Sequence, residues 1–179
     1  RTGASSSKVM PLFAIFVKAE MEGVQSFTIP PTCCWTLDVK QAAGDEERNG
    51  VVIDPEDLQE VPNTKNSMAH FQLKFEGAKN FSTLKVLTEE EIKADKKLKC
   101  QPRPQTAEDT EMVPMLIVEC RGMEPVRWHP TGDYCAEALS GTLYEEVNFR
   151  DGEDWCEYDE KSGESMTITK DIKYEIRRV

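Results

Sequence analysis

A chain of 179 residues, 39% hydrophobic and 31% charged, is long enough to bury one core, and its balance is that of a soluble globular protein rather than a disordered one. The formal charge of −11, from 33 acidic against 22 basic residues, argues against nucleic acid and against anionic membrane surfaces, since both are bound through Lys and Arg. No apolar stretch approaches the roughly 20 residues that cross a bilayer.

Residues 1–9 are small and polar, with Ser5, Ser6 and Ser7 in a row, while Met10 followed by Pro11 reads as a natural start. The expectation is a flexible leader or expression remnant over 1–9, then one β-rich domain over 10–179. The apolar run at 12–17 passes into Lys18, Ala19 and Glu20 with no cleavage-site pattern, so a cytoplasmic location is expected, with the nucleus also open. Cys33, Cys34, Cys100, Cys120, Cys135 and Cys156 form no C-x-x-C pair and are expected as reduced thiols.

In chain order, the apolar run at 12–17 predicts a buried strand, and Trp35, Leu37 and Val39 alternate with polar residues to predict another at 35–40. Residues 41–65, rich in charge, Gly and Asn, predict a long loop, with a helical turn opening at Asp54 and Pro55. Phe71, Leu73 and Phe75 give the clearest period of two, leaving His70 on the opposite face as a solvent-exposed residue, and a further strand is predicted at 81–87. Thr88 with Glu91 has the form of a capping box, and Lys93, Lys96, Lys97 and Lys99 follow, which predicts a short helix whose charged face is solvated and balanced by its own acids. After a loop at 101–111, strands are predicted at 115–118, 139–144, 147–149, 166–168 and 172–176, with His129 in a loop between Trp128 and Pro130.

Residues 13–24 align without gaps on 115–126 and match at Ile15/Ile117, Met21/Met123, Glu22/Glu124 and Val24/Val126. The expected architecture is therefore all-β and mainly antiparallel: two similar sandwich-like or barrel-like halves, about 10–88 and 112–179, with one or two short helices.

Chemistry is hard to find in these residues. A structural zinc needs four Cys or His, and the recurring device is a C-x₂₋₄-C knuckle, which the chain lacks. A nucleophilic Cys needs an adjacent base, and no local signature joins the six Cys to His70 or His129. No phosphate-cradling glycine loop is present.

The run Val118, Glu119, Cys120, Arg121, Gly122, Met123, Glu124, Pro125, Val126, with Ser140, Gly141 and Thr142 and then Asp154, Trp155, Tyr158, Asp159, Glu160, Lys161, Glu164 and Ser165, resembles the eukaryotic CXXC-motif-containing zinc-binding protein family. The N-terminal half matches more loosely, through residues 35–40 and through Ser67 and Met68. The resemblance implies a β fold of two similar halves with zinc held by two C-x-x-C knuckles in the first half. At the corresponding positions this chain has Gln41, Gly44, Gln72 and Phe75, so the four ligands are replaced. The expectation is a non-enzymatic, monomeric protein-binding or scaffold domain that carries no cofactor. Its protein partner is unknown, with contacts drawn from Arg121, Glu124, Pro125, Asp154, Trp155, Tyr158 and Asp159. The alternative is a zinc-binding protein using a non-standard set from Cys33, Cys34, His70 and Cys100.

Overall fold

The computed structural model describes residues 10–179, so the expected leader over 1–9 lies outside the described residues. The first half of the chain forms β1 (Leu12–Lys18), β2 (Met21–Glu22), β3 (Val24–Thr28), β4 (Trp35–Gln41), β5 (Glu47–Ile53), β6 (Gln59–Glu60), β7 (Met68–Ala69), β8 (Phe71–Leu73) and β9 (Ser82–Val86), and then the helix α1 (Glu89–Ala94). The second half adds β10 (Gln105–Thr106), β11 (Val113–Arg121), β12 (Met123–His129), β13 (Tyr134–Ala138), β14 (Leu143–Val147), β15 (Trp155–Asp159), β16 (Glu164–Ile168) and β17 (Lys173–Arg178). The fold is all-β, as the alternating pattern requires.

The strands form a five-stranded sheet in the order β17-β1-β11-β9-β8, a four-stranded sheet β10-β3-β13-β14, two three-stranded sheets, β12-β4-β5 and β15-β16-β2, and the ribbon β6-β7. Neighbours run antiparallel, β1 against β11 and β4 against β12 among them. Each of the four larger sheets takes strands from both halves of the sequence. The self-similar segments lie side by side as β1 and β11, with Ile15 opposite Leu116.

The buried faces of these sheets share one core, including Ile15, Phe27, Leu37, Val118, Met166 and Ile168. Aromatic rings bind its parts: Trp35 lies 5.2 Å from Trp128, which meets Tyr174 edge-on at 5.6 Å, and Phe27 meets Tyr134 edge-on at 5.6 Å. Such pairs contribute about 0.5–1.5 kcal/mol each beyond their buried area. A smaller cluster of Ala14, Ile92 and Ile117 seats α1 on the five-stranded sheet. The capping box forms as predicted, with the Glu91 N–H donating to the Thr88 hydroxyl at 3.2 Å and that hydroxyl facing the Glu91 carboxylate at 3.2 Å. Lys93 pairs with Glu89 at 2.6 Å.

Several local expectations are corrected. Residues 139–142 form the turn of the β13–β14 hairpin, because Gly141 takes a left-handed φ of +87° and its N–H donates to the Ala138 carbonyl. The predicted loop at 41–65 contains β5, an edge strand whose first four residues are exposed and whose Gly50 sits at a bulge, which erases the period-two signal. Asp54 and Pro55 open no helix; the Asp54 side chain accepts the Glu56 N–H in an Asx turn. His129 ends β12 rather than lying in a loop, and β12 was hidden by Pro125 and by a register shift at that proline. His70 is partly buried rather than solvent-exposed, and its Nδ1 accepts the Val86 N–H at 2.9 Å.

Candidate functional site

The four positions where the family resemblance places zinc ligands fall at two strand ends and the turns beside them: Gln41 ends β4 with Gly44 in the turn after it, and Gln72 lies within β8 with Phe75 just beyond it. In the first, the Gln41 N–H donates to the Glu46 carbonyl at 2.8 Å and the Gly44 N–H reaches the Gln41 carbonyl at 3.4 Å. The Gln41 amide lies where a Cβ on Gly44 would stand, so the turn has closed around Gln41. In the second, the Ala78 N–H donates to the Phe75 carbonyl at 3.1 Å, and Phe75 itself is 1% exposed and packed in the main core. The Gln72 side-chain amide nitrogen faces the Glu60 carbonyl at 3.4 Å, and its Oε1 is buried without a partner.

Glutamine, glycine and phenylalanine offer a zinc ion no thiolate or imidazole, and the Phe75 ring is packed into the main core. These residues do not fit the metal. Among the described residues no three His, Cys, Asp or Glu side chains gather in a metal-holding arrangement, so Cys33, Cys34, His70 and Cys100 are not brought together.

The two turns are nevertheless held against each other. The Glu46 carboxylate accepts the Glu76 N–H at 3.2 Å, and the Gly122 carbonyl accepts both the Ala42 N–H at 3.1 Å and the Ser82 hydroxyl at 3.1 Å. Gly122 has φ +74°, and any Cβ there would stand 2.6 Å from the Ser82 Oγ. Arg121, Glu124 and Pro125 flank this junction: Pro125 is buried, Arg121 and Glu124 are half-buried, and Met123 lies opposite Gln41 in register.

The acidic-aromatic run is split between frame and surface. Asp159 is buried, accepting the Tyr144 hydroxyl at 2.9 Å and the Ser162 N–H at 3.0 Å. Hydrogen bonds from Ser162 and Ser140, with Tyr144 behind them, hold its carboxyl well below the usual range. Trp155 is half-buried against Tyr144 at 6.1 Å, and Asp154 accepts the Lys170 N–H at 2.9 Å. Tyr158 points to solvent and is 55% exposed.

A second polar centre was not singled out from the sequence. Asp38, 4% exposed, accepts Arg127 Nε at 2.8 Å and the Gly50 N–H at 2.8 Å, and pairs with His129 Nε2 at 2.9 Å. Arg127 also reaches Glu47 at 2.5 Å. Burial pushes the Asp38 carboxyl up, but the hydrogen bonds from Arg127, Gly50 and His129 outweigh it and bring it down to about 2. The ladders on both sides of β4 shift register at this point, and a lone Asp in an apolar strand is the only trace of it in the sequence.

Burial, with the neighbouring Cys34 thiol next, pushes Cys33 up; burial, then Asp54 and Glu56, does the same for Cys34. Burial also raises Cys100, Cys120 and Cys135. A cleft of about 460 Å³ lies among Trp35, His70, Ile92, Arg103, Met115 and Ile117. Its main polar groups are already engaged: Arg103 grips Asp109 through two bonds of 2.7 and 2.8 Å, and His70 takes the Val86 N–H. No helix among the described residues is long and apolar enough to cross a membrane.

Interleaved antiparallel sheets, with two turns clasped beside a Gly-centred signature, define an all-β domain. The chain belongs to the eukaryotic CXXC motif containing zinc binding protein family, whose model matches residues 14–177. The human protein of that name is 41% identical over 68 residues, 37% of this chain and 42% of its own length. The Xenopus laevis protein is 42% identical over 67 residues, 36% of this chain and 41% of its own length. The matched stretch thus spans about two fifths of these curated relatives. The crystal structure of C1orf123 superposes with a TM-score of 0.77 at 24% identity, covering 94% of this chain and 99% of that one. A hypothetical protein from Plasmodium falciparum gives 0.77 at 22% identity, over 93% and 99%. Both show the fold.

Proposed function

We propose that this chain is a non-enzymatic protein-binding or scaffold domain, a family member whose frame stands without zinc at the two knuckle turns. The observation that carries the reading is Phe75, a ring packed in the core at a ligand position. Burying such a side chain stabilises by about 1.5–3 kcal/mol, so apolar packing takes over part of what coordination supplies elsewhere. The Gln41 amide beside Gly44 supports the same reading from the first turn. The raised thiols, and the engagement of His129 by Asp38, support a role without covalent chemistry. The domain works as a monomer in the cytoplasm, meeting a protein partner through surfaces that include Tyr158 and the Arg121 turn.

Metal analysis of the native protein purified without chelator tests this. Zinc far below one ion per chain is expected. Near-unit zinc whose removal lowers the melting temperature would overturn the reading and point to Cys33, Cys34, His70 and Cys100 rearranged around the ion.

A further inference from the structure

Two leucines on the β13–β14 hairpin point away from the core. In β13, Tyr134, Ala136 and Ala138 are buried while Cys135 and Glu137 face outward. Leu143 stands opposite Glu137 in register and shares that outer face; it is 70% exposed. Tyr144, its neighbour, turns the other way, onto Trp155 and Asp159. Leu139 follows Glu137 by two residues at the same end of the hairpin and is 50% exposed. Among the described residues β14 is the last strand of its sheet and pairs only with β13. One exposed leucine is ordinary, but two at one end of an open sheet face form an apolar patch of the kind that marks an interaction site.

Charge indicates what would cover them. Residues 134–160 hold nine acidic residues and one basic residue, a net −8 within a chain of −11. That single cation, Arg150, is held by Asp133. Glu137, Glu145 and Glu146 border the leucines directly in the hairpin. Glu146 takes a left-handed φ of 58° and the β13–β14 ladder is irregular, which spoils the edge for adding a further strand. Side chains on the face, rather than the backbone edge, are left to do the binding.

We propose that the outer face of the β13–β14 hairpin docks an extended segment of a partner protein carrying an apolar side chain flanked by lysines or arginines. The apolar side chain covers Leu139 and Leu143, and the cations meet Glu137, Glu145 and Glu146, which speeds encounter and sets orientation. This rests on the protein-binding reading above and adds a further surface to it, with the partner chemistry that surface takes.

The test is fluorescence anisotropy of the full chain with three short labelled peptides, alternating lysine with leucine, lysine with serine, and glutamate with leucine. The lysine–leucine peptide should bind, the lysine–serine peptide about tenfold more weakly, and the glutamate–leucine peptide not at all. The double variant Leu139→Ser/Leu143→Ser should weaken the first by about tenfold while its circular dichroism and melting stay unchanged, both residues being exposed. Equal binding of the two lysine peptides, an unaffected double variant, or no binding would each overturn the proposal. Cross-linking in cells separates this from the broader reading: partners kept by the double variant remove this surface alone, whereas no partner for the unaltered chain removes protein binding itself.

Discussion

The Glu46 carboxylate accepts the backbone N–H of Glu76 at 3.2 Å, so a side chain from the first turn is tied to the backbone of the second. Where the family resemblance implies a shared ion, this chain has a hydrogen bond. Glu46→Ala should therefore loosen both turns together, lowering stability by about 1 kcal/mol in denaturant unfolding. The melting temperature of the unaltered protein should not move when a strong chelator is added.

Phe75 has no room to change. Phe75→Ala empties a ring from the core and should destabilise by about 3–5 kcal/mol, with the denaturant midpoint falling and the slope unchanged. A loss under about 1 kcal/mol would mean that the ring does not act as the core clip of the second turn.

Asp38 predicts a pH window. Its carboxyl is at about 2 in the folded chain and higher when unfolded, so its stabilisation is complete above the unfolded value and is lost as pH falls toward 2. Stability of the native protein should drop between about pH 4 and pH 2. Asp38→Asn should make that part of the profile shallower, leaving the share carried by Asp159 and Asp109, and cost about 1.5–3 kcal/mol at neutral pH through weakened bonds to Arg127, Gly50 and His129.

Gly122→Ala adds a Cβ at a left-handed position and 2.6 Å from the Ser82 Oγ. The backbone strain alone should cost about 1–2 kcal/mol. Combining it with Ser82→Gly should recover the part due to the clash and leave the part due to φ, which a double-mutant cycle resolves.

Thiol labelling followed by mass spectrometry should find the exposed Cys34 and Cys156 modified first, and Cys120 only on unfolding. Because Cys33, Cys34, Cys100 and Cys135 are pushed up by burial, none should react faster than a free thiol at neutral pH. One that did would reopen cysteine chemistry.

The sequence alone carried β1 and β11 as continuous apolar runs and β4, β16 and β17 through alternation, with β9 and the capping box of α1 also legible. It also carried the family, through the Gly122 turn and the Asp159 run, because those are matters of residue identity. Edge and irregular strands were not legible. β5 is exposed with a bulge at Gly50, and β12 contains a proline and a shift, so neither keeps a period.

What only the tertiary structure decided is how distant residues meet. Asp38 with Arg127 and His129, Glu46 with Glu76, and Tyr144 with Asp159 are brought together by sheets that draw strands from both halves of the chain. Sequence periodicity reports which face of a strand is buried, and it holds nothing about which strand lies alongside. The frame could be read in the residues, but the burial of the Phe75 ring and the bond from the Glu76 N–H to the Glu46 carboxylate became visible only once the turns were folded against each other.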